Sequence, residues 1–232
     1  LAEYVRVPAV NVVPVGDLPL KVAALVEPLT VAIHAVERAA FVPGTDAAVL
    51  GGGVIGLMTV IALRDLGARN ITVVDLNPWV LEMAGRFGAT HTVHAGVDDV
   101  ATRFRTIGAP ALTVETAGAA ATRRLALEVA AKNGAVVFVG TPSTDLVLDP
   151  DTFEHILRKE LTLRGSWMSY SAPFPGAEWA KAGRLLAGAA SDPVQLITHE
   201  LPLDRVADGF AVMRSGEQQR LKVMFRVAGE LA

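Results

Sequence analysis

The segment Ala47-Ala48-Val49-Leu50-Gly51-Gly52-Gly53-Val54-Ile55-Gly56 decides the fold, because an apolar run leads directly into the spacing G-x-G-x-x-G. The apolar run predicts a buried strand, and apolar residues recur at helical spacing from Ile55 to Leu66. Between a strand and a helix, this spacing indicates a site for a dinucleotide pyrophosphate. Gly51 permits the tight turn, Gly53 lets phosphates approach the backbone, and Gly56 lets helix and strand pack closely.

Two further features support a nucleotide site. Val54 and Ile55 open the predicted helix, whose free N–H groups and partial positive charge favour phosphate. Asp75 ends the next predicted strand, where a carboxylate accepts hydrogen bonds from both adenosine ribose hydroxyls and repels a 2′-phosphate. Since neither of the next two residues is a cation, we predict NAD rather than NADP. The alternative is a flexible turn followed by a surface Asp, which leaves three glycines at a helix start unexplained.

Strand-like and helical segments alternate between residues 47 and 166, which argues for a parallel sheet with helices on both faces. The count of six strands matches a dinucleotide-binding sheet. We therefore predict an α/β fold with a doubly wound, parallel, six-stranded Rossmann sheet. The predicted strands are 47–50, 71–75, 91–95, 111–116, 135–140 and 161–166.

The carboxyl ends of the later strands supply further candidates, since ligands bind outside the carboxyl ends of such strands. Thr116 ends the fourth predicted strand, Val139 and Gly140 end the fifth, and Ser166 ends the sixth. We expect backbone groups and small side chains there to line the ribose and the nicotinamide. Ordinary strand-to-loop chemistry explains each residue nearly as well when it is taken alone.

Composition excludes several classes of protein. The chain has 232 residues, of which 51% are hydrophobic, with a formal net charge of −3 and no Cys. These values exclude a disordered chain, a strongly basic nucleic-acid binder, a disulfide scaffold and a Cys-ligated structural zinc site. No stretch resembles a signal peptide or a membrane-spanning helix, so we expect a cytoplasmic protein with no membrane partner. Because Leu1 is an unusual first residue, we expect a piece of a longer protein.

The sequence predicts no catalytic residue within this chain. Neither Tyr is followed by Lys at the Tyr-x-x-x-Lys spacing, and no G-x-S-x-G is present. The five His are scattered, and His91 and His94 would face opposite sides of a strand. Glu27 lies among apolar residues before an apolar helical pattern. Partial burial would give it a metal or cation partner, whereas a position in the first helical turn would suit the helix dipole, and periodicity leaves both open.

The residues also resemble a known family. Leu25–Leu29, the glycine loop and Val73–Asp75 together look like the zinc-dependent medium-chain dehydrogenase/reductase family, on its polyol branch. The stretch from Gly165 to Trp179 carries the most specific part of the resemblance, and Leu221–Val223 resembles the family's closing strand. The resemblance covers essentially the whole chain.

The resemblance implies an NAD-dependent oxidoreductase that transfers hydride between NAD and a secondary alcohol of a polyol or sugar-alcohol phosphate, with zinc assisting in the complete enzyme. It implies a partial GroES-like catalytic domain built from both chain ends. The expected domains are 1–40, a catalytic remnant with the linking helix, 41–167, the NAD-binding domain, and 168–232, the return to the catalytic domain. Glu27 matches the family's metal-site glutamate, and Lys222 matches a basic position near the pyrophosphate. Most zinc ligands would lie in an absent N-terminal part, so we expect cofactor binding with little turnover.

Other interpretations remain open. A non-catalytic NAD-binding regulatory module is one, although family-like sequence continues well beyond Ser166. A methyltransferase also uses a glycine-rich loop, but the full G-x-G-x-x-G opening a helix disfavours it. The resemblance further implies a homodimer or homotetramer that pairs through the sheet edge near 149–166, where Leu146–Leu148 is apolar.

Overall fold

The computed structural model describes residues 1–189, 191–216 and 219–227 and divides into two compact units. The first, Val31–Met168, is named the sheet unit here. The second, named the flanking unit, comprises residues 1–30 and the described residues from 169 onward. One helix, α2 (Val26–Arg38), begins in the flanking unit and continues into the sheet unit.

The sheet unit contains one six-stranded sheet in the order β3-β2-β1-β4-β5-β6, and every neighbouring pair is parallel. The predicted α/β, doubly wound sheet is therefore confirmed. Its strands are β1 (Ala47–Leu50), β2 (Ile71–Asp75), β3 (His91–His94), β4 (Leu112–Glu115), β5 (Ala135–Phe138) and β6 (Thr162–Gly165). Its connecting helices are α3 (Val54–Asp65), α4 (Pro78–Phe87), α5 (Val100–Ile107), α6 (Ala120–Val129) and α7 (Pro150–Arg158).

Burial explains why these residues form a parallel sheet. All four residues of β1 and of β4 are buried, as expected when helices cover both faces. On one face, Phe104 of α5 and Leu127 of α6 belong to the same core cluster as Leu50. The edge strand β6 differs, because all four of its residues are exposed.

Side-chain caps start the helices at defined residues. Asp99 accepts a hydrogen bond from the Thr102 N–H at 3.1 Å and caps α5, which begins at Val100. Asp149 accepts one from the Thr152 N–H at 2.7 Å and starts α7 in the same way. The predicted strand ends are also slightly long: β4 stops at Glu115 and β5 at Phe138, because the chain turns there into the loops described below.

The flanking unit contains a smaller sheet. Its two strands, β7 (Ile197–Pro202) and β8 (Lys222–Arg226), are parallel, and α9 (Val206–Arg214) lies between them in sequence. Thr198 joins the strands through its hydroxyl, which accepts the Leu221 N–H at 3.0 Å and donates to the Lys222 carbonyl at 3.3 Å. The other helices that lie wholly in this unit are α1 (Leu20–Ala23) and α8 (Ala177–Ala187).

Among the described residues, no helix combines the length and the apolar character needed to cross a membrane.

Candidate dinucleotide-binding site

The glycine loop lies where the strand order reverses. β1 has β2 on one side and β4 on the other, and ligands of such sheets bind in the crevice at this point. The loop follows β1, and Thr116 follows β4 directly. The Thr116 hydroxyl donates to the Gly51 carbonyl at 2.8 Å, so the structure brings these two predicted residues together. Thr116 thereby anchors the glycine loop with its side chain.

Each glycine of the loop has its own steric environment. Gly51 has a φ of +101°, which L side chains rarely adopt. A Cβ on Gly56 would lie 1.9 Å from the Gly51 carbonyl oxygen, so only glycine lets α3 start this close to the loop. A Cβ on Gly53 would meet nothing within 4 Å. The open side of the loop therefore lies at Gly53, where a ligand has access to the backbone.

The start of α3 suits an anion. No side chain of the described residues caps this helix, whose N-cap residue is Gly53. The first N–H groups of an α-helix, which here include those of Val54 and Ile55, have no partner within the helix. A phosphate beside Gly53 would accept these hydrogen bonds and would experience the positive end of the helix dipole.

Asp75 is held in place by backbone donors. Its Oδ2 accepts the Gly52 N–H at 2.6 Å, and its Oδ1 accepts the Asn77 N–H at 2.8 Å. Each carboxylate oxygen keeps further acceptor capacity for ribose hydroxyls. Gly52 had no assigned role in the sequence, yet a Cβ there would lie 2.4 Å from Val80 Cγ1. The middle glycine therefore allows the loop to approach Asp75 and α4.

The loops after β4 and β5 also come together. The N–H groups of Val139 and Gly140 both donate to the Glu115 carbonyl, at 2.8 and 3.0 Å. A Cβ on Gly140 would lie 2.2 Å from the Gly118 nitrogen, so these loops touch through two glycines. The Ser166 N–H donates to the Phe138 carbonyl at 3.0 Å at the end of β6, and its buried hydroxyl has no partner among the described residues.

Sequence reasoning missed two buried charged side chains at this end of the sheet. Glu115 is 0% exposed and accepts hydrogen bonds from the Ala117 N–H, the Gly118 N–H and the Thr122 hydroxyl. Arg123 is 8% exposed and donates to the carbonyls of Gly118 and Thr144. The signal that could have identified them is a charged residue on an otherwise apolar face, Glu115 in a buried strand and Arg123 in a helix.

The two remaining predicted residues belong to the flanking unit. Glu27 is exposed and lies in the first turn of α2, so the expectation of partial burial is wrong and the helix-dipole interpretation describes its position. The helix begins at Val26, ahead of Glu27 and not after it, which is why Glu27 lies within it. Lys222 is the first residue of β8 and is partly buried. The roles of Glu27 in metal binding and of Lys222 in pyrophosphate binding stay predictions.

The residues that the structure describes do not fit a zinc site. The described residues contain no group of three or more His, Cys, Asp or Glu side chains that could hold a metal ion, and the sequence has no Cys. A protein zinc site needs about three or four such ligands. No chemical step is therefore assigned to a metal held by these residues.

Comparison with known proteins identifies relatives of both units. Residues 54–187 match the family model described as zinc-binding dehydrogenase. The chain is 38% identical over 202 residues to galactitol 1-phosphate 5-dehydrogenase of Escherichia coli K12. This alignment covers 85% of the chain and 58% of that protein. This relative is the enzyme that the stretch from Gly165 to Trp179 resembles in sequence.

Solved structures share the architecture. The crystal structure of galactitol-1-phosphate dehydrogenase from Escherichia coli matches with a TM-score of 0.86 and 35% identity, covering 94% of this chain and 64% of that one. A zinc-binding dehydrogenase from Sinorhizobium meliloti, bound to NADP, matches with a TM-score of 0.77 and 28% identity, covering 88% and 58%. The chain thus spans 58–64% of the length of the relatives that it matches in these comparisons.

Proposed function

Because the chain belongs to the zinc-binding dehydrogenase family, we propose that its sheet unit binds NAD as the coenzyme of an oxidoreductase acting on a secondary alcohol. The observation that carries this proposal is the arrangement around the glycine loop. An open glycine, an uncapped helix start and a carboxylate fixed by two backbone N–H groups lie at the ends of adjacent strands.

Each part of the coenzyme has residues to receive it. The N–H groups at Gly53, Val54 and Ile55 bind the pyrophosphate, and Asp75 accepts hydrogen bonds from the adenosine ribose. The loops after the later strands receive the nicotinamide half, with Lys222 proposed near the pyrophosphate. Nicotinamide, when bound, supplies the hydride acceptor for alcohol oxidation. The residues proposed for the nicotinamide half are Thr116, Val139, Gly140 and Ser166.

Asp75 makes the site selective for NAD over NADP. Its carboxylate is fixed by Gly52 and Asn77, so it cannot turn away from a 2′-phosphate without losing two hydrogen bonds. The next two residues, Leu76 and Asn77, carry no positive charge to compensate. The Sinorhizobium meliloti relative is bound to NADP, so similarity to relatives does not determine the coenzyme of this chain, and the proposed selectivity needs a direct test.

Calorimetric titration of the purified chain with NAD and NADP tests this assignment. Wild type should bind NAD more tightly, and Asp75→Ala should weaken NAD binding about 10- to 100-fold through loss of hydrogen bonds to a charged group, about 1.5–3 kcal/mol. The exposed Asp151 offers a matched control, since Asp151→Ala removes one carboxylate elsewhere in the same unit. Tighter binding of NADP by wild type, or unchanged NAD binding by Asp75→Ala, would refute the proposal.

The proposed substrate is a polyol or a sugar-alcohol phosphate. Its support is the 38% identity to galactitol 1-phosphate 5-dehydrogenase together with the similar stretch from Gly165 to Trp179. Zinc is proposed to assist in the complete enzyme, with ligands beyond those that the described residues offer. The test is alcohol-dependent NADH formation by a protein of the relatives' length, with phosphorylated and unphosphorylated polyols compared. Preference for the unphosphorylated compounds would overturn the phosphate assignment.

A second candidate is a non-catalytic NAD-binding regulatory module. It is favoured by the lack of a metal-ligand group among the described residues, and by the location in one unit of all proposed coenzyme residues except Lys222. For this chain by itself we propose coenzyme binding with little turnover. Rapid NADH formation by the 232-residue chain with a polyol phosphate would exclude the regulatory module.

A second copy of the chain is the proposed partner of the sheet edge. Among the described strands, β6 pairs with β5 alone, and an exposed edge strand is a template for pairing with another strand. Apolar side chains are exposed on and near this edge, including Leu163 of β6, Leu157 of α7 and Val147. Burial of this surface between two copies supports a homodimer or homotetramer.

A further inference from the structure

Two buried charges of opposite sign bind the same glycine in the loop between β4 and α6. Glu115 Oε1 accepts the Gly118 N–H at 2.7 Å, and Arg123 Nη2 donates to the Gly118 carbonyl at 3.2 Å. Gly118 has a φ of +72°, which disfavours any residue with a Cβ. The backbone N–H and the backbone carbonyl of Gly118, a glycine in the left-handed region, are therefore each hydrogen-bonded by the side chain of a charged residue. We name Glu115, Gly118 and Arg123 the loop clamp.

The clamp is costly for the fold. In the part of the chain that the structure describes, neither Glu115 nor Arg123 takes part in an ion pair, and the Glu115 Oε2 atom is buried without a hydrogen-bond partner. Burial of an ionised group without a directly paired countercharge is unfavourable. The compensation comes from neutral dipoles: two backbone N–H groups and the Thr122 hydroxyl donate to Glu115 Oε1, and two backbone carbonyls accept from Arg123 Nη2. Such an arrangement orders loops, because the charged groups lose these partners if the backbone moves.

The loop clamp and the neighbouring Thr116 together link three loops. Arg123 Nη2 also donates to the Thr144 carbonyl at 2.8 Å, which ties the loop after β4 to the loop after β5. A Cβ on Gly118 would lie 2.1 Å from the Thr141 carbonyl oxygen, so these two loops have no space between them. On the other side, the Thr116 hydroxyl reaches the Gly51 carbonyl of the glycine loop. A shift of Gly118 would therefore displace the loop after β5 and, through the neighbouring Thr116, the glycine loop.

We propose that Arg123 and Glu115 are positioning residues that order the loops after β4 and β5 for the nicotinamide half of the coenzyme. This inference rests on the proposed function. Asp75 lies at the end of β2, on one side of β1, whereas the clamp lies beyond β4, on the other side. A dinucleotide that spans the crevice places its two nucleosides on opposite sides of β1. Loss of the clamp therefore weakens binding of the nicotinamide half and spares the adenosine half.

Titration of wild type and Arg123→Met with NAD and with ADP separates the two halves, because ADP retains only adenosine and two phosphates. For Arg123→Met we expect NAD to bind about tenfold more weakly, with ADP binding within about twofold of wild type. Arg124→Met is the matched control: Arg124 is the next residue of α6, is not part of the loop clamp, and donates weakly to the Val147 carbonyl at 3.5 Å. It should leave both ligands unchanged.

The ratio of the NAD and ADP affinities decides the outcome. A purely structural role for Arg123 would weaken both ligands alike, and that result, or an unchanged ratio, overturns the inference. If Arg123→Met does not fold, Arg123→Lys retains the charge but not the fork of donors, and should shift the ratio in the same direction by a smaller factor. Glu115→Gln should also shift the ratio towards ADP. If wild type binds neither ligand, the proposed function itself fails, and this measurement precedes every variant.

Discussion

The sheet unit and the flanking unit differ in how completely they bury their strands. In the sheet unit, the central strands β1 and β4 are fully buried, because helices cover both faces of the sheet there. In the flanking unit, β7 and β8 form a two-stranded sheet whose residues are mostly of intermediate exposure. Its N-terminal segment exposes apolar side chains, with Tyr4 91% and Val5 83% exposed.

The difference shows which part of the chain carries its own core. A parallel sheet is stable when both of its faces are covered, and the sheet unit achieves this with helices supplied by its own sequence. A two-stranded sheet buries little surface and depends on packing against other elements. The residues proposed to bind the coenzyme, apart from Lys222, all lie in the sheet unit. We therefore expect the two units to respond differently to equivalent substitutions.

The largest effect is expected for Gly56→Val in the sheet unit. The new Cβ would lie 1.9 Å from the Gly51 carbonyl oxygen, and backbone atoms of a tight turn cannot yield. We expect a loss of about 3 kcal/mol or more in the free energy of unfolding, with loss of NAD binding. Denaturant unfolding and NAD titration would measure both.

Gly85→Ala is the internal control for that substitution. A Cβ on Gly85, in α4, would meet nothing within 4 Å, so this change should stabilise the chain by about 0.5–1 kcal/mol. If Gly56→Val unfolds no more easily than Gly85→Ala, the close packing of α3 on the loop is wrong.

Gly209→Val makes the equivalent change in the flanking unit. A Cβ on Gly209 of α9 would lie 2.3 Å from Phe225 Cζ in β8. The Phe225 ring can move partly aside, so we expect a cost of about 1–2 kcal/mol confined to this unit. Hydrogen exchange should become faster in β7 and β8 but not in β1 or β4. Faster exchange in the central sheet would show that the units unfold together.

Leu163→Lys tests whether the edge of the sheet unit forms the interface between two copies of the chain. Leu163 is 40% exposed on the edge strand, so a lysine there should leave monomer stability within about 0.5 kcal/mol. A charge on this edge should block strand pairing, and analytical ultracentrifugation should show a smaller species than wild type. Val5→Lys, in the exposed segment of the flanking unit, should leave the assembly intact. The reverse pattern would move the interface to the flanking unit.

The smallest effect is a pH dependence at the amino end of the sheet. The Arg69 guanidinium, with hydrogen bonds at 2.8 and 2.6 Å, holds the pKa of Asp46 below its ordinary value of 3.8. A carboxyl group whose pKa is lowered by folding stabilises the chain above its unfolded pKa, and this contribution is lost as the pH falls through the folded pKa. Asp46→Asn should therefore cost about 0.5–1 kcal/mol at neutral pH and progressively less below about pH 4.

The control for that profile is Asp145→Asn, since Asp145 is exposed. The difference in the free energy of unfolding between Asp145→Asn and wild type should not change across the same pH range. An Asp46→Asn difference that persists at low pH would mean that the Asp46 interaction is not ionic.

The sheet was predictable because its signals are local. Each strand is a short apolar run, and each helix has its own periodicity and cap, so the order of elements follows from neighbouring residues. The three glycines were likewise recognisable, because the spacing of a phosphate loop lies within one strand, one turn and one helix, and Asp75 was recognisable because it ends the next strand of the same βαβ unit. Glu27 was harder, since periodicity does not show whether a helix begins before or after it, and the structure places it exposed in the first turn.

The sequence by itself determined the α/β class, the parallel sheet and the position of the glycine loop, because apolar runs, helical periodicity and the glycine spacing are patterns within short segments, even though the strands they predict pair over long distances in the chain. Only the tertiary structure decided how the strand-end loops are held together. Thr116 reaches Gly51 across 65 positions, and Arg123 reaches Thr144 across 21, through contacts that no local pattern encodes. It also decided that Glu115 and Arg123 are buried, since burial results from the packing of segments that are distant in sequence.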